Sequence, residues 1–212
     1  MTKLRLSVVI PAHNEEENLP RTLVHLEKAL RAADVPHEIL VVNDHSTDGT
    51  AEVLEELQRG NPNLRVVNNE RPAGFGQAVH TGLDAFEGDA ICLVMADASD
   101  DPNDVVKYYR KLSEGYECVF GSRFTEGESK VVSYPKHKLV LNRLANWFIQ
   151  LLFGLDYNDV TNAFKCYRRS VIDGVRPILS YDFNLLVELP LKAIVRGYSY
   201  TVVPTHWHGR QH

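Results

Sequence analysis

The chain reads as an α/β domain, a mostly parallel sheet with helices on both faces. Two observations predict this. Through the first 120 residues, short apolar runs of strand length alternate with single amphipathic stretches of helical period. No linker, internal repeat or low-complexity tract interrupts the 212 residues, so residues 1–212 are expected to form one domain.

The elements follow in order. Leu6–Ile10 is a buried strand stopped by Pro11. Leu19, Leu23, Leu26 and Leu30 share one face of a helix over Leu19–Arg31, with Pro20 in its first turn, where a missing N–H is harmless. Strand Glu38–Val42, helix Thr50–Arg59, strand Leu64–Asn68, helix Gly76–Phe86 and strand Ala90–Val94 continue the alternation. A helix near Asp104–Ser113 and a strand near Glu117–Phe120 complete it. The second half breaks the rhythm: one long apolar segment over Lys136–Phe153, a helix around Phe183–Arg196, and a strand over Tyr198–Val203.

Composition limits the classes available. Hydrophobic residues at 44% and charged residues at 24% match a globular protein, not a disordered or fibrous one. No apolar run reaches the roughly 18 residues of a membrane span, and the first is too short for a signal peptide. Any span is expected beyond His212. Cys92 and Cys118 lie in strand-like runs and Cys166 stands apart, a pattern of reduced thiols that suits a cytoplasmic compartment. The net charge of −5 divides unevenly: residues 1–120 carry −10 and residues 121–212 carry +5. Scattered surface charge explains this as well as a metal-binding half facing a phosphate-binding half.

In open parallel sheets, ligands bind beyond the carboxyl ends of the strands, where strand order reverses. Three polar clusters fall there: Pro11-Ala12-His13-Asn14-Glu15, Asn43 to Thr50, and Met95 to Pro102. Each has a structural explanation alone. Asp48 or Thr47 suits a helix cap, as does Asn18, and Asp100 or Asp101 before Pro102 is an ordinary N-cap. Three such clusters at one sheet edge favour a site. Asp44 and Glu15 offer carboxylates to a base or ribose, and Asp97 is placed for a hard cation bridging phosphates. No P-loop is present, and Gly74-Phe75-Gly76 reads as a tight helix entry rather than a dinucleotide fingerprint.

Pro11 to Glu15, Asn43 to Thr50 and Ala96 to Ser99 resemble the inverting family 2 glycosyltransferases. The resemblance runs on through Gly121-Ser122-Arg123, Asn142 to Asn146, Asp159 to Lys165, Phe183, Glu188, Pro204 and Arg210. That set is similar to the dolichol-phosphate mannosyltransferase and polyprenyl-phosphate glycosyltransferase branch. It implies a glycosyltransferase A-type, Rossmann-like fold, with residues 1–120 as the nucleotide-sugar half and 121–212 as the acceptor half. It also implies a nucleotide pocket of Pro11, Ala12, His13, Glu15, Val42, Asp44, Ala96 and Asp97. The cofactor implied is Mg2+ or Mn2+ on Asp97, aided by Ser99, Asp100 or Asp101. Arg123, Arg143 and Arg210 match positions that hold donor and acceptor phosphates. His13 stands where the family usually has Tyr, Asn43 replaces one Asp of a pair, and Met95 replaces the first Asp of the Asp-x-Asp motif.

The expected reaction moves a hexose, first guess mannose from GDP-mannose and second a UDP-hexose, to a polyprenyl or dolichyl phosphate. A phosphomonoester with a second pKa of about 6 is largely ionised near neutrality and needs no strong protein base. Two alternatives stay open. One is transfer to a saccharide or protein hydroxyl, which needs a general base. The other is a non-catalytic nucleotide-sugar-binding relative, suggested by Met95. Leu141, Leu144, Ala145, Phe148, Leu151 and Leu152 share a face of the 136–153 helix. That face reads either as core or as an interfacial helix lying on the cytoplasmic face of a membrane. His206, His208 and His212 are poorly spaced for a metal, and a closing loop carrying Arg210 is expected instead.

Overall fold

A computed structural model describes residues 3–125, 129–132 and 136–209. Seven strands form the main sheet: β1 (Leu6–Ala12), β2 (His37–Asn43), β3 (Leu64–Asn68), β4 (Ala90–Leu93), β5 (Cys118–Ser122), β7 (Lys165–Arg168) and β8 (Tyr200–Pro204). Their order is β3-β2-β1-β4-β7-β5-β8. All run parallel except β7, which is antiparallel to both β4 and β5. Two short strands, β6 (Lys130–Val132) and β9 (His206–His208), pair parallel to each other beside it.

The helices are α1 (Leu19–Ala32), α2 (Thr50–Gly60), α3 (Phe75–Ala85), α4 (Pro102–Ser113), α5 (Lys136–Phe153), α6 (Arg169–Val175) and α7 (Leu185–Val195). One core layer takes alternate residues of β1 (Leu6, Val8, Ile10) with α1 and α4; the other takes Val9 with α3, α6 and α7. Strands buried on both faces explain the unbroken apolar runs in the sequence. All three cysteines are buried and free.

Three expectations are corrected. Pro11 does not stop β1, because it pairs in register with Val42. The Val9 carbonyl accepts the Val94 N–H at 3.0 Å, so Val9 and Pro11 both turn their nitrogens toward β4. The β4 ladder ends at Leu93, so no partner there asks Pro11 for an N–H. Strand β7 was not foreseen: it has four residues and opens on a lysine. Lys165 is nonetheless 1% exposed, its ammonium donating to the carbonyls of Val160, Asn162 and Leu186.

The third correction concerns α5, whose apolar face is not core. Leu141 is 69% and Trp147 60% exposed, and Leu144, Phe148, Leu151 and Leu152 are exposed with them. The helix instead turns amides inward. Asn142 and Asn146 donate to Thr161 Oγ1 at 2.9 and 3.0 Å, and Gln150 donates to the Leu155 carbonyl at 3.3 Å. Ile149 adds an apolar contact to the core. The helix is polar toward the protein and apolar away from it, the reverse of an ordinary surface helix. Among the described residues no helix is long and apolar enough to cross a membrane.

Candidate active site

Strand β1 lies where the order reverses, with β2 on one side and β4 on the other. At its carboxyl end sits a pocket of about 390 Å³ lined by Pro11, Ala12, His13, Glu15, Asp44, Ala73, Gly74, Phe75 and Met95. That is within the usual range for small-ligand sites. The tips of β1, β2 and β4 each carry a non-glycine residue at positive φ: Asn14 (54°), His45 (53°) and Ala98 (56°). Such residues persist only where surrounding bonds over-determine them. Asn14 is held that way, donating its N–H to Ser46 Oγ at 3.1 Å and accepting the Thr47 N–H at 2.8 Å.

Asp44 builds the pocket wall. Its Oδ1 accepts from the Asn69 amide at 2.7 Å and its Oδ2 from the Gly74 N–H at 2.9 Å. Gly74 has a φ of 147°, a conformation that a side chain would strain, and it opens α3. Gly76 follows because a Cβ there would lie 2.2 Å from the Tyr181 backbone. Phe75, between them, enters the pocket and stacks on Phe183 at 4.5 Å. His13 Nδ1 lies 2.6 Å from the Asp44 carbonyl oxygen. A carbonyl only accepts, so this nitrogen carries the proton.

The structure sorts the expected pocket residues. Pro11, Ala12, His13, Glu15 and Asp44 line the cavity. Val42, Ala96 and Asp97 do not: Val42 is fully buried against α3, Ala96 packs in the opposite core layer, its carbonyl accepting from Thr22 Oγ1 at 2.8 Å, and Asp97 lies on the turn beyond β4. Ala73, Gly74, Phe75 and Met95 are the lining residues that sequence reasoning missed. The paired glycines around Phe75 were the available signal, since they mark close backbone approach.

Asp97 is half-buried at the left-handed turn after β4, its Oδ1 accepting the Ser99 N–H at 3.1 Å, with Ser99 itself buried. Asp100 turns inward and accepts the Met95 N–H at 3.0 Å. Burial raises its carboxyl to about 7, opposed by the Met95 bond and reinforced by nearby Asp97. Asp101 caps α4 through the Asn103 N–H at 2.8 Å. Spacing within the C-terminal histidines hid a further grouping: Asp101, Asp104 and His206 bring three potential ligand atoms within 4.8 Å. Of those histidines, His206 meets carboxylates a hundred residues away, while His212 lies outside the described residues. Asp104 is already engaged, however. Lys107 lies 2.6 Å from its Oδ1, while Thr205 Oγ1 and the His206 N–H donate to its Oδ2 at 2.9 Å. A cation would have to displace that ammonium.

The arginines differ from one another. Arg123 forms a buried fork with Asp159, Nε to Oδ2 at 2.8 Å and Nη2 to Oδ1 at 2.7 Å, and its backbone N–H adds a third bond at 2.9 Å. Arg143 extends from α5 with its guanidinium carbon 4.6 Å from the Phe124 ring centroid. Arg210 lies outside the described residues.

Comparison with known proteins agrees with this architecture. The chain is 31% identical over 206 residues to the polyprenol monophosphomannose synthase of Mycolicibacterium smegmatis, covering 94% of this chain and 76% of that one. It is 29% identical over 191 residues to the dolichol-phosphate mannosyltransferase of Pyrococcus furiosus, covering 89% of this chain and 53% of that one, so it spans about half of the second relative's length. In fold it is similar to the glucosyl-3-phosphoglycerate synthase of Mycobacterium tuberculosis, crystallised with Mn2+, uridine diphosphate and glucosyl-3-phosphoglycerate. The TM-score is 0.76 at 20% identity, over 99% of this chain and 72% of that one. The same enzyme with Mn2+, UDP-glucose and phosphoglyceric acid gives 0.75 at 19% identity, with the same coverage. Residues 7–176 match Glycosyl transferase family 2, and with a pocket at the switch point of a glycosyltransferase A-type sheet, this chain belongs to that family as a glycosyltransferase.

Proposed function

We propose that this glycosyltransferase moves mannose, with GDP-mannose as the donor, to a polyprenyl or dolichyl phosphate with inversion, at the cytoplasmic face of a membrane. The observation that carries the reading is α5, which joins an outward apolar face to Arg143 on one helix. A lipid phosphate has that same pairing of an apolar chain and an anion. The names of the two curated relatives support mannose as the sugar. Arg143 on α5, and the +5 balance of residues 121–212, suit an anionic lipid surface.

The donor's base and ribose fit the pocket beside His13, Glu15 and Phe75. Asp97 suits a divalent cation: its Oδ1 is held by the Ser99 N–H and its Oδ2 has no partner among the described residues. Mg2+ and Mn2+ sites of this kind use one or two carboxylates with substrate phosphates. A bound ion supplies charge neutralisation as the nucleotide diphosphate departs. Met95, in place of a second carboxylate, leaves Asp97 as the main protein ligand, with Ser99 beside it. Arg143 holds the acceptor phosphate, which attacks the anomeric carbon opposite the leaving group.

The second reading is transfer to a saccharide or protein hydroxyl, which needs a general base within reach of the acceptor. Purified protein supplied with Mg2+ or Mn2+, labelled GDP-mannose or UDP-hexoses, and either a short polyprenyl phosphate or a saccharide separates the two. Mannosyl transfer to the lipid phosphate is expected. Transfer only to saccharide refutes the lipid reading, and donor binding without any turnover refutes catalysis.

A further inference from the structure

We propose that Phe124 is a positioning residue that aims Arg143 at the acceptor phosphate, and that Arg123, paired with Asp159, braces this platform instead of binding the anion. The inference rests on the lipid-phosphate reading above and divides between residues a task that the family resemblance gives to all three arginines together.

Arg123 and Phe124 are consecutive, immediately beyond β5, and both are fixed from behind. Asp159 takes Arg123 through its backbone N–H, Nε and Nη2, so the guanidinium edge that would fork onto a phosphate already grips a carboxylate. Side-chain exposure is 9% for Arg123 and zero for Asp159, which leaves the pair close to neutral as seen from the site. The Phe124 N–H donates to Ser122 Oγ at 3.1 Å, and its carbonyl accepts from the Asn158 amide at 3.2 Å. The ring's backbone is therefore held at both ends.

Arg143 reaches the same ring from a different element, 4.6 Å from its centroid, with Arg123 at 5.4 Å. No carboxylate among the described residues pairs with Arg143. Contact with an aromatic face engages the cation's charge without requiring a hydrogen-bond acceptor, so the donors of Arg143 stay available to an anion. A long side chain held in one orientation loses less freedom on binding. Asn142 and Asn146 fix the helix on either side of Arg143 through Thr161, so its base is as constrained as its tip.

The test is a double-mutant cycle between Phe124→Leu and Arg143→Ala, read as KM for a short polyprenyl phosphate, KM for donor, and calorimetric binding of the same lipid phosphate without donor. Phe124→Leu should weaken acceptor binding about fivefold, the scale of one exposed cation–π contact. It should leave donor KM unchanged and add nothing in the Arg143→Ala background. Phe124→Tyr should restore wild-type behaviour. Additive effects of the two substitutions, a donor KM that moves with Phe124→Leu, or unchanged acceptor binding overturns the proposal. Binding that follows the predicted pattern without turnover from any donor defeats the transfer reading alone. A wild-type protein that binds no lipid phosphate defeats both.

Discussion

Replacing Asp159 with Asn removes a charge from a site that has almost no water to compensate. The substitution conserves volume, so no cavity confuses the result. It puts an amide where Arg123 presents Nε at 2.8 Å and Nη2 at 2.7 Å. One oxygen still accepts, while the new NH2 opposes an N–H donor and the guanidinium loses its countercharge. Breaking a buried pair from one side costs about 3–5 kcal/mol. For a chain of 212 residues, each kcal/mol lowers Tm by about 2–4 °C. Asp159→Asn should therefore melt roughly 10 °C below wild type by circular dichroism, with a matching fall in the urea midpoint at unchanged slope. Arg123→Met with Asp159→Asn, which removes both charges and nearly keeps the volume, should be less destabilised than Asp159→Asn alone. A loss below about 1 kcal/mol for the single variant refutes the reasoning, because a buried Arg left with an amide cannot be that well solvated. A double variant as unstable as the sum of its singles refutes it as well.

Three further outcomes are expected. Asp97→Ala should abolish Mg2+- or Mn2+-dependent transfer, and retained activity would show the cation bound elsewhere. Burial raises the Asp100 carboxyl from 3.8 to about 7, so its contribution is fully present below pH 4 and is lost as pH rises through 7. Asp100→Asn, whose amide oxygen still accepts from Met95, should be more stable than wild type at pH 8 and should flatten the profile between pH 4 and 7, measured by urea titration. Replacing exposed Trp147 and Leu144 with Glu should leave Tm within a few degrees and reduce flotation with anionic vesicles several-fold. Unchanged flotation would remove the membrane contact.

The sheet was legible because β1, β2, β4 and β5 are buried on both faces and cannot avoid apolar runs. The switch-point clusters were legible for a related reason, since strand tips are where polar residues interrupt those runs. What stayed hidden depends on direction. Lys165 opens a strand yet is buried, because three carbonyls from two other segments converge on its ammonium. Burial pushes its pKa down to about 7 even so. Nothing local to residues 165–168 announces those acceptors. Helix α5 shows the same limit: a one-sided apolar spacing fixes that a face exists and leaves open whether it points inward. The deciding residues, Asn142 and Asn146, meet Thr161 only in three dimensions. Asp159 stood in the stretch that resembles the family, but its grip on Arg123 needs a loop to fold back across 36 residues.

The inverted polarity of α5 also sets a distance. A helix with its side chains is about 10–12 Å across. On the proposed bilayer contact, a helix lying flat holds Arg143 within one helix width of the acyl boundary, at the depth where headgroup phosphates reside. The acceptor's hydrocarbon tail then stays among its neighbours, and only the phosphate has to rise to meet the sugar.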